Sequence, residues 1–159
     1  MKVKESWKEK LRDSKDLPKV IEIDEEMSKR WGEGTCVIPA PIEVDEIMKK
    51  VPAGEVITIN NIREILAEKH GTSIACPITT GIFAWIAAGA ADEDAQQGKK
   101  RITPYWRTLK TGGLLNEKYP GGIEGQIKQL EKEGHTIVPK GKKNLVVLNY
   151  DKYTAKIKI

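Results

Sequence analysis

The chain has 159 residues, 39% of them hydrophobic and 31% charged, with a formal net charge of +4. That length suits one domain closed around a single core, and the composition excludes disordered, fibrous and disulfide-scaffold proteins. The charge is mildly basic. It permits a nucleic-acid partner without demanding one, so the placement of the cations matters more than their sum.

The first sixteen residues carry ten charges and no apolar run, which argues against a signal peptide and for a cytoplasmic protein. An amphipathic helix is expected over 6–12, a short strand over 20–23, and a second helix over 25–30 capped by Asp24 and ended by Trp31-Gly32-Glu33-Gly34. Residues 1–41 read as an N-terminal extension packed on the main body, with residues 35–38 extended. From 43 to 50 the apolar Val44, Ile47 and Met48 fall at helical spacing, and Pro52-Ala53-Gly54 makes the turn that follows. Val56-Ile57-Thr58 is β-branched and leads to Asn60 or Asn61 as the cap of a helix over 62–70, closed by Gly71.

Pro77 then opens a second helix, rich in small residues, that ends at Asp92-Glu93-Asp94. Residues 71–91 lack formal charge, but Pro77 and the interspersed Thr, Ser and Gly make a buried helix a better reading than a membrane span. The two helices together read as a helix-turn-helix. In such a motif the first turn of the second helix faces DNA, which points to Thr79 and Thr80 as contacts, with Gly81 allowing close approach and Phe83 and Trp85 turned inward. Farther on, Leu114 and Leu115 anchor a glycine-rich loop, and a helix over 123–133 stops at Gly134. Strands are expected over 138–150 and 153–159. The fold class is α+β: a winged-helix-like domain over 42–137, with a short N-terminal extension and a C-terminal β segment over 138–159.

Residues 98–113 hold the most pointed combination of side chains. Lys99, Lys100, Arg101, Arg107 and Lys110 surround Tyr105 and Trp106, and no acid intervenes. Cations that neutralise phosphate beside rings that offer a flat face suit nucleic acid. The same proline, tyrosine and tryptophan could equally anchor a basic surface loop onto the core. Cys36 and Cys76 are read as buried apolar residues, and with His70 and His135 the only histidines, neither a metal site nor a cofactor is expected.

The succession of motifs resembles the DNA-binding domain of the O6-alkylguanine-DNA alkyltransferases and alkyltransferase-like proteins. Residues 51–58, Gly81, residues 103–107, residues 119–122 and residues 130–134 follow in the order of the family's pre-helix turn, recognition-helix glycine, Pro-Cys-His-Arg, Gly-Gly loop and closing Glu-Gly. The resemblance puts Tyr105 and Trp106 where the family has its nucleophilic cysteine and histidine, and Glu133 where it has the acid of the relay. A thiolate activated by a neighbouring base is what that chemistry needs, and neither ring supplies it. The family's base-rotating tyrosine corresponds to Ile59 and its intercalating arginine to Ile78.

The resemblance therefore implies a DNA-binding protein without a catalytic residue, directed to duplex, with alkylated or damaged DNA as the target the family suggests. Its implied contacts are Thr79, Thr80, Lys99, Lys100, Arg101, Tyr105, Trp106, Arg107 and Lys110. The alternatives are a protein-interaction module that kept the fold and lost DNA binding, and a methylated-DNA-protein cysteine methyltransferase acting through Cys76 at the start of the second helix.

Overall fold

The computed structural model describes residues 6–158; residues 1–5 and 159, which entered the reading of the two termini, lie outside them. Helix α1 (Trp7–Arg12) starts where Ser6 accepts a hydrogen bond from the Glu9 amide. Strand β1 (Lys19–Glu22) runs antiparallel to β2 (Thr35–Ile38), with Val20 opposite Val37. Between them lies α2 (Glu25–Trp31), capped by Asp24 at 2.8 Å from the Met27 amide and ended by Gly32 at φ 79°. Strand β2 also pairs in parallel with β4 (Ile74–Ala75), so Cys36 and Val37 are fully buried and the N-terminal hairpin reaches the centre of the molecule.

Helix α3 (Pro41–Lys49) begins two residues earlier than expected, because Glu43 reaches back to the Ala40 amide and a proline fits the first helical position. Strand β3 (Ile57–Thr58) leads directly into α4 (Ile59–His70). The cap is Thr58 rather than Asn60 or Asn61: Thr58 accepts from the Asn61 amide, and the Asn61 side chain accepts from the Thr58 amide at 2.9 Å. Gly71 adopts the left-handed conformation that stops α4.

After β4, α5 (Pro77–Gln96) runs through Asp92, Glu93 and Asp94 instead of ending there. Asp94 pairs with Lys8 of α1 at 2.8 Å, and the Lys8 amide binds Glu93, so these acids dock α1 rather than end the helix.

A single 3-10 turn at Tyr105–Arg107 precedes β5 (Thr108–Leu109), which pairs in parallel with β3. Helix α6 (Gly122–Lys132) follows, then the hairpin of β6 (Ile137–Lys140) and β7 (Asn144–Val147). The alternating residues after 152 form no strand within the described chain. A 3-10 turn at Tyr150–Tyr153 directs the tail to a lone bridge between Thr154 and Val56.

Helices and strands thus mix in an α+β arrangement with two apolar clusters. One gathers Val37, Met48, Ile62, Leu66 and Ala84 from α3, α4, α5 and β2; the other gathers Val56, Leu109, Leu115, Leu130 and Val147 around α6 and the hairpin. Each fully buried aliphatic side chain contributes about 1.5–3 kcal/mol. Tyr105 packs on the first cluster and its neighbour Trp106 on the second, so the 3-10 turn is the joint between them.

Candidate nucleic-acid interface

The basic stretch does not act as one surface. Lys99 pairs with Asp94 at 3.2 Å, beside the last turn of α5, whereas Lys110 pairs with Glu117 at 3.0 Å and lies beside Ile82 and Trp85. The helix rise puts roughly 15 Å between those places. Lys100 and Arg101 are exposed at the Lys99 end.

Arg107 is committed elsewhere. Its Nε and its second guanidinium nitrogen donate to Glu133 at 2.9 and 2.7 Å, and its remaining nitrogen donates to the Val51 carbonyl at 2.8 Å. Trp106 Nε1 donates to the same carboxylate at 3.0 Å, and the Gly54 amide approaches it at 3.4 Å. Burial opposes the charge on Glu133, but the hydrogen bonds from Arg107 and Trp106 outweigh it and hold the carboxyl below its ordinary range. Arg107 and Trp106, expected to contact DNA, thus each hold a structural bond in the fold: every nitrogen of the two side chains already donates to Glu133 or to the Val51 carbonyl.

Tyr105 is half-buried, edge-on to Trp106 at 5.3 Å and to Tyr119 at 5.8 Å. Burial raises its phenol above the ordinary value, so it is neutral and no nucleophile. Thr103 Oγ1 donates to the buried Asp45 at 2.7 Å, which fixes the approach to this turn. Gln126 ties it to the neighbouring loop, donating to the Trp106 carbonyl at 3.1 Å and accepting from the Asn116 amide at 2.8 Å. Pattern reading missed Gln126, since a lone polar residue on an amphipathic helix carries no signal of what it will meet.

On α5 the first-turn contacts also change. Thr80 is fully buried and donates to the Cys76 carbonyl at 2.6 Å, so it faces the core rather than phosphate. Thr79 is half-buried with its hydroxyl enclosed. What the first half of α5 exposes is apolar: Ile78 at 65%, Ile82 at 43% and Trp85 at 37%. The spacing i, i+4, i+7 puts them on one face. Trp85, expected to turn inward, instead takes Trp7 against one side and Lys118 at 5.8 Å from its ring.

These residues, with Ile59 and Gly81, form one wall of a cleft of about 480 Å³ whose opposite rim holds Lys110, Asn116, Glu117 and Lys118. Ile59 and Ile78 are thereby brought together, while Tyr105, Trp106 and Arg107 are not among its walls.

Cys36 and Cys76 are 0% and 7% exposed, and burial pushes the Cys36 thiol up to about 11. Neither lines the cleft, which removes the geometric basis for a transferase acting through Cys76. Among the described residues no cluster of His, Cys, Asp and Glu could hold a metal ion, and no helix is long and apolar enough to cross a membrane.

No family model matches the chain, and no curated protein matches it. The chain is similar to two solved structures. One is S. pombe Atl1 in complex with damaged DNA containing O6-carboxymethylguanine, at 19% identity and a TM-score of 0.50, covering 74% of this chain and 94% of that one. The other is S. pombe ATL in complex with DNA, at 20% identity and a TM-score of 0.47 with the same coverage. At such identity the likeness is one of fold.

Proposed function

We propose that this chain is a non-catalytic, alkyltransferase-like DNA-binding protein, with α4 and α5 as its helix-turn-helix and the β6–β7 hairpin as its wing. The observation that carries this reading is the cleft along the first half of α5, where exposed Ile78 and Ile82 face the Lys110 and Lys118 rim. Apolar wedges of this kind enter a minor groove and part base steps, while lysines on the opposite rim neutralise the flanking phosphates. A damaged base unstacks at lower cost than a normal one, so among duplexes the alkylated one is preferred to the plain one. Alkyl transfer is absent from this reading: Tyr105 and Trp106 stand where the resemblance puts the thiol and its base, and both thiols are buried.

The test is fluorescence anisotropy with plain and O6-alkylated duplexes at two salt concentrations. Affinity is expected to fall steeply with salt and to drop about tenfold in the Lys110→Glu/Lys118→Glu double variant. Binding that ignores both salt and these charges would count against the reading.

One observation favours a second reading, a protein-docking module. Helix α5 carries no Lys or Arg, and its final turns hold Asp92, Glu93 and Asp94, an unusual charge for an element facing phosphate. In that case Ile78, Ile82 and Trp85 are interface anchors, and the same salt titration shows no DNA binding at all.

A further inference from the structure

Helix α2 has no buried residue, yet it carries Met27 and Trp31 one turn apart on a common face. That face does not fill a core. Together with Glu26 and Arg30 it lines a cleft of about 340 Å³ whose other wall is Ile78. Ile78 is also a wall of the 480 Å³ cleft that ends at Trp85. The two clefts therefore meet at one shared side chain, Ile78, and we take them together as a trough along α2 and the first half of α5.

Each end of this trough pairs an indole with a cation. At one end Trp31 follows Arg30 and shares a cleft with it; at the other, Lys118 Nζ lies 5.8 Å from the Trp85 ring centroid. Between the two ends stands Ile78, 65% exposed and a wall of both clefts, with Ile82 beside it on the same face of α5. The seven positions from Ile78 to Trp85 alone span roughly 10 Å along the helix axis, already too long for a single base. Of the acids on the rim, Glu117 is already neutralised by Lys110 at 3.0 Å, and Glu26 stands at the α2 end.

An aromatic ring beside a cation at each end of such a length suits an unpaired strand: bases stack on the rings and phosphates meet the charges. A duplex keeps its base faces occupied by their neighbours and cannot offer them to two separated indoles. We propose that the trough from Trp31 to Trp85 binds single-stranded DNA, with bases stacked on these two rings and phosphates against Arg30 and Lys118. This rests on the DNA-binding reading above and adds to it the strand state recognised and the part played by the N-terminal segment.

The experiment uses the full chain with a labelled twelve-nucleotide oligo-dT and with the same strand annealed to oligo-dA, followed by anisotropy and by intrinsic tryptophan quenching. The single strand is expected to bind more tightly than the duplex and to quench fluorescence. Trp31→Ala should weaken it roughly tenfold, the loss of one stacked base, while Trp31→Phe retains most of the affinity. Arg30→Glu, an exposed change that spares folding, should weaken single-strand binding in the same way and guards against an unfolded α2 in the alanine variant. Duplex binding that persists while neither Trp31→Ala nor Arg30→Glu alters single-strand affinity overturns the trough and leaves the DNA-binding reading standing. Absence of binding to either oligonucleotide overturns both and favours the docking module.

Discussion

The Arg107 guanidinium and the Glu133 carboxylate meet at 2.7 Å with their side chains only 14% and 13% exposed. They lie 26 positions apart, and the same carboxylate receives Trp106 Nε1. Removing one member leaves a largely buried charge without its partner, which costs about 3 kcal/mol. Arg107→Ala is therefore expected to lower stability by about that amount in urea denaturation, and Glu133→Gln to lower it comparably. An Arg107→Ala protein as stable as the parent, with DNA affinity lost, would restore the contact role that the sequence suggested.

Acid should lower the stability of the fold over two pH ranges. His135 is 6% exposed and edge-on to Tyr153; burial lowers its pKa from 6.5, partly offset by Glu133, and both ring nitrogens lack a partner. The unfolded chain then takes up a proton near 6.5 that the fold resists, so stability is full above that pH and falls below it. Glu133 and Glu43 titrate below their ordinary 4.5. For Glu43, burial is overcome by Lys69, the Ala40 amide and His70. Their contribution is present above 4.5 and disappears as pH drops beneath it. Each group contributes a slope of at most about 1.4 kcal/mol per pH unit. His135→Phe should flatten the upper range and leave the lower, as read from urea midpoints between pH 4 and 8.

Local signals were legible where a residue acts on its immediate neighbours. Asp24 caps α2 as its side chain suggests, Gly71 stops α4, and Pro77 opens α5. What could not be read is what depends on distant partners. Composition showed five cations around Tyr105 and Trp106, but whether each meets phosphate or Asp94, Glu117 or Glu133 is decided by chain folding. The face of α5 was obscured for a different reason: a helix apolar on nearly all sides has no direction, so Trp85 could be placed outward only once Trp7 and Lys118 were in place.

Both cysteines should resist chemistry in the folded state. At 0% and 7% exposure neither sulfur is open to a reagent, and burial pushes the Cys36 thiol up to about 11. Iodoacetamide is expected to label them only after denaturation, and incubation with an O6-methylguanine oligonucleotide to leave the intact mass unchanged. A gain of one methyl on Cys76 would reinstate the transferase alternative.

Gly89 is where α1 depends on α5. It is buried in mid-helix, and a Cβ placed there would fall inside the Trp7 indole, whose ring stands 5.1 Å from Trp85. On propensity alone Gly89→Ala should favour the helix by about 1 kcal/mol. The contact reverses that sign: Trp7 is displaced, and the Lys8–Asp94 pair is lost with it. The expected result is faster hydrogen exchange and proteolysis confined to the N-terminal segment, with α5 itself unchanged. Adding Trp7→Ala removes the obstruction, so the double variant should be less perturbed than the sum of the two single changes. Strict additivity would mean that the ring and the glycine do not touch.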